Sequence, residues 1–265
     1  MDRHSSDLIS APYIEQGQGE PLMLISGYSM TKEDWGGVFD ALAENFRVIA
    51  FDNRGVGGFE PAGAAFSIAD MAADTIRLMD ELNIEKAHIM GISMGGLIAQ
   101  TLCIEYPERV IKAVLGCTTH GGREAVPGDK TAMQALASSA DPSKPRDDVI
   151  QALLPYFFHD NSTAPLAEAI DVFLETYLRD IPRAGLQGQL GALSVFNSKP
   201  RLAEIDCPVL VITGTEDAII PPENSDRLAA AIHRAELVKI ENTGHLFLLE
   251  KPQQVVSEVV KFINA

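Results

Sequence analysis

Cysteine is scarce in this sequence: three residues in 265, an odd number and none in CxxC spacing. Cys103, Cys117 and Cys207 each stand among apolar neighbours. They read as small buried hydrophobes kept reduced, not as a disulfide framework or a metal site. Basic residues are few as well, 21 Lys and Arg against 37 Asp and Glu, for a formal net charge of −16. A nucleic-acid binder neutralises phosphates with cations, and an anionic membrane surface makes the same demand, so the balance argues against both partners. No apolar run reaches the roughly 18 residues of a membrane span. The start, Met1 to Asp7, is polar and lacks a signal-peptide core. A soluble, cytoplasmic protein is the expectation. The six histidines are dispersed without H-x-x-x-H spacing, and no G-x-G-x-x-G or Walker loop opens a helix. Neither metal nor cofactor is expected.

What is present is a chain 46% apolar, long enough for one large domain or one domain with an insertion. Short apolar runs at Leu8–Glu15, Leu22–Ile25, Phe46–Phe51, Ala87–Met90, Val110–Cys117, Val209–Thr213 and Leu237–Ile240 read as strands. Helical spacing recurs at Asp34–Glu44, Ile68–Leu82, Leu97–Tyr106, Pro222–His233 and Gln253–Ile263. The alternation predicts an α/β fold: a mostly parallel, doubly wound sheet covered on both faces. It breaks near His120. From there to about Pro200 the chain reads as helical, interrupted by Pro142, Pro145, Pro155, Pro165 and Pro182. The expected organisation is a core of residues 1–119 and 201–265 with a helical cap, residues 120–200, inserted in it.

Three short stretches carry chemistry. Gly91-Ile92-Ser93-Met94-Gly95 lies between a predicted strand and a predicted helix. There a sharp turn presents Ser93 above the sheet, with a helix N-terminus aimed at whatever it attacks. The same glycines also fit an ordinary strand-to-helix turn capped by Ser93. Asp217 follows the Val209–Thr213 strand on the edge where open α/β sheets bind ligands; it suits an orienting carboxylate or a plain loop Asp. His245 follows the last strand and suits a general base or a structural histidine. In chain order the three read Ser, Asp, His, the order of the α/β-hydrolase arrangement.

Over nearly its whole length the chain resembles the α/β-hydrolase fold family. The matching pieces are Ser26-Gly27-Tyr28, Asp52-Asn53-Arg54-Gly55-Val56-Gly57, Gly91 to Gly96, Gly214 to Asp217 with Pro221-Pro222, and Gly244-His245. The resemblance is closest to small bacterial carboxylesterases and to enol-lactonases acting on 3-oxoadipate lactone. It implies Ser93 as nucleophile, Asp217 as acid and His245 as base, with an oxyanion hole from the backbone N–H groups of Tyr28 and Met94. Two departures stand out. Many relatives have His-Gly where this chain has Ser26-Gly27, which leaves the local hydrogen bonding open, and Phe59 replaces a common serine.

Within 120–200 lie Tyr156, Phe157, Phe158, Phe173, Tyr177 and Phe196. Most are expected to form the cap's own core, with Tyr156, Phe157 and Phe196 as candidates for the substrate wall. Lys144, Arg146, Arg179, Arg183, Lys199 and Arg201 are scattered, which disfavours a polyanionic substrate. Asp52 and Arg54 are expected to fix their own loop, His88 and His233 to be structural, and His120 to sit near the site. The expected function is a serine hydrolase of a small-molecule carboxylic ester or lactone. C–C bond hydrolysis, acyl transfer or peracid formation on the same residues stands as one alternative, and a ligand receptor with vestigial hydrolysis as another. Ser93 argues against haloalkane dehalogenase and soluble epoxide hydrolase, relatives that place an Asp there.

Overall fold

Strand β2 (Pro21–Ile25) shows how the sheet is buried on both sides. Leu22 and Leu24 point into one apolar cluster, Met23 and Ile25 into another, and all four are fully buried. Strand β6 (Val209–Gly214) repeats the pattern with Val209 and Val211 against Leu210 and Ile212. Successive side chains of a strand alternate in direction, so a run apolar at every position fits only a sheet covered on both faces.

In this computed structural model, residues 11–59, 65–159, 170, 174 and 181–265 are described. Leu8 to Ser10 of the first predicted strand, Pro165, Phe173, Tyr177 and Arg179 lie outside them. The remaining strands are β1 (Tyr13–Gln16), β3 (Arg47–Phe51), β4 (Ala87–Ile92), β5 (Val110–Gly116) and β7 (Ala235–Ile240). The sheet order is β1-β3-β2-β4-β5-β6-β7. Only β1 runs antiparallel to its neighbour. Helices α1 (Gly36–Ala43), α2 (Ile68–Glu81) and α3 (Met94–Glu105) belong to the first half of the chain, and α2 starts on a Ser67–Asp70 capping box. Between β5 and β6 come α4 (Lys130–Ser138), α5 (Arg146–Phe157) and α6 (Arg183–Val195). Pro155 lies inside α5 and does not end it. After β6 follow α7 (Glu223–Ala231), the short α8 (Phe247–Glu250) and α9 (Pro252–Asn264).

A third apolar cluster joins Ala132, Ile150, Leu153 and Phe157 to Ile219 and Leu246. The helices between β5 and β6 therefore pack onto the loops that follow β6 and β7. Among the described residues no helix is long and apolar enough to cross a membrane. Cys103 and Cys117 are buried, whereas Cys207 is only partly so; all three are free thiols, with the sulfurs of Cys103 and Cys207 3.6 Å apart. Asp52 accepts from the backbone and side chain of Lys32 at 2.9 and 2.7 Å, and Arg54 pairs with Asp74 of α2. Both residues thus hold their own loop.

His88 on β4 is buried, its Nε2 3.0 Å from Glu20 Oε2 and its Nδ1 without a partner. Burial pushes this imidazole below its ordinary value. A depressed folded-state value gives stability that is complete above the unfolded value and lost as pH falls through the folded one. Acidification from pH 7.5 to 5 is therefore expected to lower the calorimetric Tm of the wild type more than that of His88→Leu. Equal acid slopes in the two proteins would contradict this.

Candidate active site

The candidate nucleophile, base, acid and oxyanion loop all follow the C-terminal ends of parallel strands. Gly27 and Tyr28 follow β2, Ser93 follows β4, Asp217 follows β6 and His245 follows β7. Ser93 adopts φ 53°, a left-handed value for a residue with a Cβ, at the junction of β4 and α3. Such backbone costs about 1–3 kcal/mol and persists only where neighbours over-determine it. Here the Ser93 N–H donates to Gly116 O at 2.8 Å, and Thr118 Oγ1 donates to Ser93 O at 2.7 Å. The turn has no room for side chains on either side. A Cβ on Gly95 would collide with the carbonyl of Ile25, and one on Gly91 with that of Gly95.

The structure brings Ser93, His245 and Asp217 together. Ser93 Oγ lies 3.2 Å from His245 Nε2, and His245 Nδ1 lies 2.7 Å from Asp217 Oδ2. Asp217 is buried, and its other oxygen accepts the backbone N–H groups of Ile219 and Ile220 at 2.9 and 2.8 Å. A carboxylate held this way fixes the imidazole with its proton on Nδ1 and an open acceptor at Nε2, so that the Ser93 hydroxyl donates to Nε2. The loop bearing His245 is pinned from two sides. Leu246 N–H donates to Phe157 O at 2.9 Å, and Gly244 N–H donates to the Glu250 carboxylate at 2.6 Å. The Phe157 ring stacks on the imidazole with centroids 6.4 Å apart.

Ser93 and His245 open onto a cavity of about 240 Å³. Tyr28 and Met94 line it beside Ser93, and Met94 is the first residue of α3, where amide N–H groups lack intrahelical partners. The walls are apolar: Met30, Leu97, Met133, Leu136, Phe157, Leu193, Ile219 and Ile220 among others. Met133 is partly exposed to solvent. No Lys, Arg, Asp or Glu lines the cavity among the described residues. Of the scattered cations, Arg146 and Arg183 bind backbone carbonyls of their own segment, while Lys199 and Arg201 pair with glutamates. The buried Asn224 also lines the cavity and anchors its wall, accepting from Val126 N and donating to Val126 O, both at 2.9 Å.

Tyr156 and Phe196 do not line this cavity. Adjacent positions on a helix point about 100° apart, so with Phe157 at the site Tyr156 is turned away from it and lies half-buried at the margin of the third apolar cluster. Phe196 sits past the end of α6 on a separate hollow formed with α2 and α3. His120 is buried between two cavity-lining residues, but its Nδ1 bonds Gly121 O at 2.7 Å and it does not line the wall. Ser26 keeps its loop without a histidine. Its hydroxyl accepts from Trp35 Nε1 at 3.0 Å and donates to Thr31 O at 3.2 Å, and Asn53 donates to its carbonyl at 2.9 Å. Asn224 and the aliphatic wall of α4 and α6 escape sequence reasoning, because no local spacing marks a contact made across about a hundred residues; Glu250 escapes it because a carboxylate six residues past Gly244 has many other possible partners. Among the described residues no group of three or more His, Cys, Asp or Glu could hold a metal ion.

A family model described as alpha/beta hydrolase fold matches residues 20–252. A Mycobacterium tuberculosis protein named as a non-heme bromoperoxidase, BpoC, is 32% identical over 259 residues, covering 96% of this chain and 98% of its own. A poly(3-hydroxyalkanoate) depolymerase from Ectopseudomonas oleovorans is 31% identical over 246 residues, 92% of this chain and 84% of its own. The solved enol-lactonase from Burkholderia xenovorans LB400 superposes with a TM-score of 0.85 at 23% identity, covering 96% of each chain, a likeness of fold alone.

Proposed function

The chain belongs to the alpha/beta hydrolase fold family, and on that premise we propose that it hydrolyses uncharged carboxylic esters or lactones with an apolar acyl group, through an acyl-enzyme on Ser93. The observation that carries this is the hydrogen-bonded line from Ser93 through His245 to Asp217, opening onto a wall without cations among the described residues. Ser93 Oγ attacks the carbonyl carbon while His245 Nε2 takes its proton. The charge on the carbonyl oxygen is met by the backbone N–H groups of Tyr28 and Met94. One such donor is commonly worth about 2.7–4 kcal/mol. His245 then protonates the leaving oxygen, and water, deprotonated by His245, releases the acid and restores Ser93. Residues 120–200 serve as the lid that excludes water from this chemistry.

The cation-free wall favours this reading over a lactone that carries a free carboxylate, since a buried, unpaired charge is costly. The test is hydrolysis of p-nitrophenyl acetate, butyrate and octanoate at pH 7.5 without added metal. At about 0.8 kcal/mol per buried methylene, kcat/KM is expected to rise roughly tenfold from acetate to butyrate. Methanol, hydroxylamine or hydrogen peroxide as competing acceptors separates hydrolysis from acyl transfer and peracid formation. A folded protein that turns over none of these esters, or prefers acetate, sinks the proposal.

A further inference from the structure

Gln189 of α6 is fully buried, and both ends of its amide are used. Its Oε1 accepts the N–H of Ser29 at 2.9 Å, and its Nε2 donates to the carbonyl of Arg54 at 2.8 Å. A backbone N–H can only donate and a carbonyl only accept, so these partners fix the orientation of the amide. Ser29 adjoins Tyr28, whose N–H is assigned above to the oxyanion hole, and it holds φ 61°. A loop in that region is not at its own minimum and depends on outside restraint. Trp35 and Asn53 hold its Ser26 end, and Gln189 reaches its other end. The Arg54 loop is in turn tied to α2 through Asp74.

The approach of α6 that makes this bridge is built in. Gly185, one turn before Gln189, lies against Gly55, and a Cβ on either would strike the other's backbone. A second link runs parallel to the first: the Tyr28 hydroxyl lies 2.5 Å from Ser139 Oγ, at the end of α4. The helices between β5 and β6 thus grip the loop after β2 through a backbone amide as well as through apolar wall.

We infer that Gln189 is a positioning residue for the oxyanion hole: it ties the helical segment to the Tyr28–Ser29 loop and sets where the Tyr28 N–H points. The inference rests on the ester-hydrolysis reading above. An oxyanion donor acts on the transition state and hardly on bound substrate, so its displacement is felt in kcat.

Gln189→Met keeps the length of the side chain and removes both hydrogen bonds. It is expected to lower kcat ten- to a hundredfold with KM within twofold of wild type, and to leave the acid limb of the pH–rate profile in place, because His245 is untouched. Affinity for a boronic-acid transition-state analogue should fall by the same factor as kcat/KM. Gln189→Glu retains the acceptor for Ser29 N–H and is expected to keep more kcat than Gln189→Met. Gly185→Ala, which pushes α6 off Gly55 without deleting a hydrogen-bonding group, should reproduce the kcat loss. Unchanged kcat, a rise in KM alone, a shifted acid limb, or Gln189→Met equal to Gln189→Glu overturns the inference. Hydrogen exchange at the Ser29 amide reads the tether without turnover. At least tenfold faster exchange in Gln189→Met supports it and unchanged exchange overturns it, even if a wild type inert to esters removes the functional reading.

Discussion

Ser93→Ala is expected to lower ester turnover by on the order of 10⁵ while the protein stays folded. Ser93 Oγ is the atom that His245 Nε2 faces at 3.2 Å, and it is placed by a strained turn whose flanking Gly91 and Gly95 leave no room for a side chain. Alanine deletes one atom and keeps the backbone hydrogen bonds from Ser93 to Gly116 and Thr118. Stability should therefore hold, or rise slightly. What remains is water activated by His245 over the same oxyanion donors, which leaves a slow residual rate. Steady-state assay of the purified variant, with a fluorophosphonate labelling the wild type at Ser93 as the active-site titrant, decides the point. A loss below a hundredfold would move the nucleophile elsewhere.

Asp217→Asn is expected to cost about 10⁴ in kcat. The geometry gives the reason in this chain. One carboxylate oxygen accepts two backbone N–H groups, from Ile219 and Ile220, and the other accepts His245 Nδ1–H at 2.7 Å. Asparagine has a single acceptor oxygen, and the two backbone donors claim it. Its NH₂ then faces Nδ1, which must become an acceptor, so the imidazole proton moves to Nε2 and opposes the Ser93 hydroxyl. The base is present but in the wrong tautomer. Shape and volume barely change, so Tm should stay close to that of the wild type while kcat collapses. A loss of less than tenfold would show that His245 keeps its orientation without the carboxylate.

The frame of the molecule is legible because the sheet buries every position of its central strands, and runs such as Leu22–Ile25 cannot be mistaken for surface. The boundary at the nucleophile is less so. Gly95 and Gly96 are poor helix formers, and the periodic signal starts only at Leu97, whereas α3 begins at Met94 because the packing of Gly95 on the Ile25 carbonyl overrides propensity. Ser93, Asp217 and His245 are each ambiguous alone; what singles them out is that each follows a strand of one parallel sheet. The wall is a different matter. Aromatic character marks Tyr156, Phe157 and Phe196 equally, and only the packing of α5 tells which one meets the imidazole. Gln189 acts on backbone groups more than a hundred residues away in the chain, and a side chain's choice of a remote carbonyl or amide leaves no periodicity to read.

The cation-free wall also bears on how a turnover would finish. The acid released at Ser93 ionises at neutral pH, and the carboxylate would then sit in a cavity whose walls offer no Lys or Arg among the described residues, inside a chain of net charge −16. An unpaired anion in apolar surroundings is unstable relative to water. The same feature that admits a neutral substrate therefore expels its product, so that departure needs no separate opening force and free fatty acid at modest concentration should inhibit only weakly.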